Sequence, residues 1–161
     1  MDAGIRFGEL LEYEGREAKR WKEWFAAHPE ALERRCDVAS AGTVRGLLVH
    51  MFATELYFAH VVLDLPEPDW GKLRGQGLEP LFEGAEEARM KLQEFVAKAL
   101  PEDWDTVKEL RSGKLKASKR KMVAQALLHG VHHRAQLATF LRQEGFGGLW
   151  VHDLIASDVM E

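Results

Sequence analysis

One cysteine, Cys36, in a chain of 161 residues excludes an internal disulfide and fits a reducing compartment. No apolar run approaches the roughly 20 residues that a membrane-crossing helix needs. The opening residues Met1-Asp2-Ala3-Gly4-Ile5-Arg6 also lack the apolar segment of a signal peptide. A basic surplus is missing too: 22 Lys and Arg against 26 Asp and Glu leave a net charge of −4, so the broad cationic surface that phosphate backbones demand is not encoded. The locally basic stretch from Lys108 to Lys121 reads as a solvated turn and helix start. Neither nucleic acid nor membrane is therefore an expected partner, and the expected location is the cytoplasm. No repeat or low-complexity segment breaks the chain, and its length suits one domain over residues 1–161 with a core of its own.

What is present is helical periodicity, four times over. A first pattern runs from about Phe7 to His28, carries Leu10, Leu11, Trp21, Trp24 and Phe25, and stops at Pro29; its N-terminal half is rich in charge. A second, from about Val44 to Leu65 with Ser40 or Thr43 as its cap, is the most apolar stretch of the protein. Its apolar residues form two strips, so it needs cover on two sides, from a central position or a subunit contact. Residues from Pro66 to Gly77 form a long connection with Trp70 as its one large anchor. The third pattern begins at Pro80 and ends near Leu100, before Pro101. A small hairpin around Ser112-Gly113 precedes the fourth pattern, which Ser118 caps and Gly145 follows. A short helix in the tail after Gly148 closes one end. These elements predict an all-α protein, an up-down four-helix bundle with a long crossover and a small β-hairpin before the last long helix.

The fourth pattern holds three histidines within five residues, His129, His132 and His133. At roughly 100° per residue, His129 and His133 lie about 40° apart at the edge of the apolar arc formed by Met122, Val123, Ala126, Leu127, Leu137, Phe140 and Leu141. His132 falls on the polar side. On the second pattern His50 sits at the edge of the arc of Val44, Leu47, Met51, Thr54, Phe58, Val61, Val62 and Leu65. Facing helices of a bundle build sites from such inward side chains, and three neutral imidazoles make an open site for Zn²⁺, Ni²⁺ or Fe²⁺. Other chemistry is absent from the pattern. There is no His-Glu-x-x-His, no Glu-x-x-His and no strand followed by a Gly-rich phosphate loop. Cys36 has no histidine at local spacing to activate it.

The segments Leu47-Leu48-Val49-His50 and His129-Gly130-Val131-His132-His133-Arg134-Ala135-Gln136, with Leu141-Arg142-Gln143-Glu144-Gly145 downstream, resemble the DinB-like (YfiT-like) metal-binding four-helix bundles over nearly the whole chain. Ala135 stands where many members carry Gly. The resemblance implies His50, His129 and His133 as ligands of a divalent metal and a homodimeric assembly. It further implies a metal-dependent enzyme acting on a small electrophilic molecule, a thiol S-transferase using a low-molecular-weight thiol, or a hydrolase. The alternative is a non-catalytic stress-response protein that binds a metal or another ligand.

Two charges interrupt the apolar arcs, Glu55 on the second helix and Arg134 on the fourth. A buried charge needs a partner, so the two are expected to pair across the core. Together with Tyr57 they are candidate pocket or supporting residues of the site. Trp70 and His60 are candidates for the pocket mouth, while His28 and His152 are expected at the surface.

Overall fold

The computed structural model describes residues 4–75, 77–110 and 113–160. Four long helices carry it: α1 (Phe7–Ala27), α2 (Val44–Val62), α4 (Glu79–Lys98) and α6 (Lys119–Gln143). Two short ones, α3 (Gly71–Arg74) and α5 (Pro101–Asp105), lie in the connections. Side-chain caps start two of the long helices. The Thr43 hydroxyl accepts from the Gly46 N–H and the Ser118 hydroxyl from the Lys121 N–H, each satisfying a donor that helix geometry leaves free. Gly145, at φ +84°, takes the left-handed turn just past the end of α6.

The composition of the core fixes the helix directions. One end gathers Trp21 and Phe25 of late α1, Leu47 of early α2, Phe82 of early α4 and Leu141 of late α6. The other gathers Leu11, Val62, Phe95 and Met122 from the opposite helix ends. Thus α1 and α6 run one way and α2 and α4 the other. The 63–78 connection is the expected long crossover, and it carries the chain back along the bundle so that α4 can start beside the beginning of α2. Both α1 and α2 pack on α4 and α6, which places α1 and α2 diagonally.

α2 packs on both α4 and α6 within the chain, and its Phe52 meets Phe82 of α4 edge-on at 5.2 Å. The central position explains this helix without a subunit contact, so its composition lends the implied homodimer no support. α2 ends at Val62 and not at Leu65, because Pro66 disfavours helical backbone at the residue before it. Leu65 is accordingly exposed, and Asp64, at φ 57°, turns its carboxylate to Lys108 and Lys119.

The expected hairpin is present as β3 (Val107–Leu110) and β4 (Leu115–Ser118), antiparallel with Val107 opposite Ser118 and Leu110 opposite Leu115. Ser112, read as part of its turn, and Met1 to Ala3 lie outside the described residues. A second small pair, β1 (Arg35–Cys36) with β2 (Gly42–Thr43), was not anticipated, and Cys36 is buried there. The tail carries only a short 3-10 turn at Leu154–Ala156.

His28 and His152, expected at the surface, are half-buried against aromatic rings. His28 stacks on Trp24 at 4.3 Å, and His152 lies parallel to Trp21 at 5.2 Å with its Nδ1 2.7 Å from Glu17. Glu17, 2 % exposed, also accepts from the Trp150 indole N–H at 2.9 Å, and the Tyr13 hydroxyl donates to the His152 carbonyl. Burial alone would raise the Glu17 pKa, but the bonds from His152 and Trp150 outweigh it and hold the carboxyl below its ordinary value. The charge-rich half of α1 is therefore the dock for the tail. Among the described residues, no helix is long and apolar enough to cross a membrane.

Candidate metal centre

α2 and α6 pack antiparallel near the middle of the bundle, and that contact brings residues 50 and 129 together across 79 positions of sequence. The His50 and His129 Nε2 atoms lie 3.1 Å apart. Ring centroids are separated by 4.9 Å for His50–His129, 4.9 Å for His50–His133 and 4.4 Å for His129–His133, an almost equilateral triangle. Each residue offers a nitrogen within 4.8 Å of the other two. Nitrogens about 2.0–2.1 Å from a tetrahedral Zn²⁺ sit roughly 3.3 Å from one another. The donors are therefore near ligating distance already.

Burial across the triangle is graded. His133 is buried at 6 % exposure, His129 is half-buried and His50 is exposed, so the cluster is closed on the α6 side and open beside His50. The His133 Nδ1 lies 2.7 Å from the Gln136 Oε1 one helical turn along. Donation of the Nδ1 proton to that oxygen fixes the tautomer and leaves Nε2 as the lone-pair donor. Gln136 shares the polar side of the helix with His132 by periodicity, and its i+3 spacing from His133 was the available signal. His132 points away, as its position on the helix requires, and is exposed.

The electrostatics favour neutral imidazoles. Burial, and then the neighbouring His133 and His50 rings, lower the His129 pKa to about 4. Burial also lowers that of His133, opposed by the bond to Gln136. The His129 Nδ1 is buried with no hydrogen-bond partner. Three imidazole donors sharing one spot, with no carboxylate beside them among the described residues, suit a borderline divalent cation.

A cavity of about 550 Å³ opens beside His50. Thr54, Tyr57 and Phe58 of α2 form one wall, Met122 and Gln125 of α6 the other, and Trp70 of the crossover lies across it. Tyr57 and Trp70 line this cavity. His60 is not among its lining residues: its Nδ1 lies 2.6 Å from the Pro66 carbonyl, and its Nε2 faces Glu87 at 3.9 Å.

Arg134 and Glu55 lie elsewhere. Arg134, 6 % exposed, forks both nitrogens onto the Glu14 carboxylate of α1. The expected Glu55–Arg134 pair does not form, because Glu14 reaches the guanidinium head-on and takes both of its terminal nitrogens. Glu55 lies beside that pair: a Cβ built on Gly130 would meet Glu55 Oε1 at 2.9 Å, Glu14 Oε2 at 3.0 Å and Arg134 Nη1 at 3.3 Å. Burial, followed by the Glu14 charge, pushes the Glu55 pKa up to about 8, with Arg134 and Arg89 opposing. Sequence reasoning missed Glu14 although it shares the stripe Leu10, Glu14, Glu17, Trp21 and Trp24, the helical spacing of an inward face.

Residues 2–155 match the sequence model of the DinB family. The chain belongs to that family. No curated protein matches it. Family membership and the clustered imidazoles together make this a DinB-like protein with a three-histidine group able to hold a metal ion.

Proposed function

We propose that this DinB-family chain is a metal-dependent enzyme acting on small electrophilic molecules with a low-molecular-weight thiol as co-substrate, and that His50, His129 and His133 are its metal ligands. The observation that carries this reading is the position of the open side of the triangle. The three donors lie within 4.8 Å of one another, and the cavity of about 550 Å³, enough for a small molecule, begins at the exposed His50. A divalent ion held there, Zn²⁺, Ni²⁺ or Fe²⁺, supplies Lewis acidity and stabilises the deprotonated form of a thiol or water at neutral pH.

The chain's own residues provide the rest. Gln136 orients His133, and burial keeps His129 neutral so that its lone pair stays available. Tyr57, Phe58 and Trp70 offer apolar and aromatic surface against which a substrate body packs while bulk water is excluded. Among the described residues lining the cavity there is no cysteine or serine to act as nucleophile, and the thiol is therefore assigned to a co-substrate; water in its place gives the hydrolase variant.

Purified protein assayed for metal and then mixed with a panel of thiols and monochlorobimane tests the proposal. Metal-dependent conjugation that disappears in His133→Ala supports it. Stoichiometric metal with no turnover across the panel replaces it with the binding-protein reading.

A further inference from the structure

The cavity beside His50 runs along α6. Its α6 wall rises from Lys121 through Gln125 toward His129, one helical turn at each step, and eight residues span about 12 Å of helix axis. The lining between the two ends is mostly apolar, with Phe58, Trp70, Leu110 and Met122 beside the uncharged polar groups of Thr54, Tyr57 and Gln125. Among the described residues charge returns at the far end, and there most of it is already engaged. Lys108 and Lys119 hold Asp64, Lys116 holds Glu109 and Arg120 holds Asp105. Glu67 accepts the Trp70 indole N–H at 2.9 Å. Lys121 lines the cavity, and its ammonium has no ion-pair or hydrogen-bond partner among the described residues.

We propose that Lys121 is a specificity residue that anchors the carboxylate of an elongated acid, whose other end reaches the three histidines. The occupant carries its reactive group at one end, an apolar body, and a carboxylate roughly 8–12 Å away. One ammonium flanked by the Gln125 amide matches a monoanion. A phosphate dianion calls on several cations or on free helix N–H groups, and here the Lys119 N–H is bound to the Thr106 carbonyl and the Lys121 N–H to Ser118. The near end of this assignment rests on the proposed thiol chemistry; the far end does not.

Two calorimetric series separate them. In the first, ω-mercaptocarboxylic acids of increasing length and the equal-length mercapto-alcohols are titrated into zinc-loaded protein. The acid of matching length should bind about 5- to 30-fold tighter than its alcohol, with the difference abolished in Lys121→Met and reversed in favour of ω-mercaptoamines in Lys121→Glu. In the second, alkanoic acids without a thiol are titrated into metal-free protein, where Lys121→Met should weaken binding by a similar factor. Acid binding that depends on Lys121 in the second series, with no thiol binding in the first, upholds the anchor and removes the thiol chemistry. Equal binding of acid and alcohol, equal binding by wild type and Lys121→Met, or no acid binding in either series overturns the anchor.

Discussion

Two polar groups sit on different faces of one stretch of α6 and have opposite characters. His129 and His133 meet His50 of α2, whereas Gly130 and Arg134 meet Glu14 of α1 and Glu55 of α2. The second group answers its own charge. The Arg134 guanidinium is matched by a carboxylate fork, and Glu55, with its pKa near 8, stays uncharged beside it at neutral pH. The first group has lone pairs, a buried nitrogen without a partner and no counter-charge. Buried polarity that is satisfied internally holds the bundle together; buried polarity left open is available for a ligand.

Mutations that hit one group and spare the other sharpen this contrast. The largest effect belongs to Arg134→Ala, which leaves Glu14 buried and unpaired: urea unfolding should show a loss of about 3–5 kcal/mol, while calorimetry finds zinc affinity nearly unchanged. Gln136→Ala should do the reverse, lowering zinc affinity about 10- to 100-fold with an unfolding free energy within about 0.5 kcal/mol of wild type. If each substitution damaged both properties equally, the two groups would be one. Gly130→Ala crowds a methyl against three polar atoms of the α1-facing network and should cost about 1–3 kcal/mol, again read by unfolding and without loss of metal.

The smallest effects separate the groups by the sign of their pH dependence. His129 is held at about 4 against an ordinary 6.5, so the unfolded chain binds the extra proton between these values. Its contribution to the stability of metal-free protein is complete above pH 6.5 and is lost as pH falls toward 4. Glu55 is raised from 4.5 to about 8, so the folded chain keeps the proton longer. Its contribution is complete below pH 4.5 and is lost as pH rises through 8. Unfolding curves across this range should therefore show the acid-side loss flattened in His129→Gln and the alkaline loss flattened in Glu55→Gln.

Much of this arrangement was legible in the sequence. Periodicity alone put His50, His129 and His133 at the edges of apolar arcs, because 3.6 residues per turn leaves little freedom once a helix face is buried. It turned His132 outward for the same reason. What periodicity cannot supply is which neighbour a buried charge meets: Arg134 was assigned to Glu55 on α2, while Glu14 on α1 lay in a half-helix judged by its charge and not by its spacing. The same half-helix hid the Glu17 seat for His152 and Trp150, a contact across more than 130 residues with no local signature. The direction of the crossover was equally unwritten, since a long connection can either return along the bundle or turn back at its end. The Gln136 bond needed only the recognition that a turn-spaced amide can support a ligand.

The central claim is that residues 50, 129 and 133 grip one ion. X-ray absorption at the zinc edge of stoichiometrically loaded protein tests it most directly. The account predicts three imidazole nitrogens at about 2.0–2.1 Å, reduced to two in His50→Ala. A shell of oxygen ligands alone, or an imidazole count that His50→Ala leaves unchanged, would contradict it.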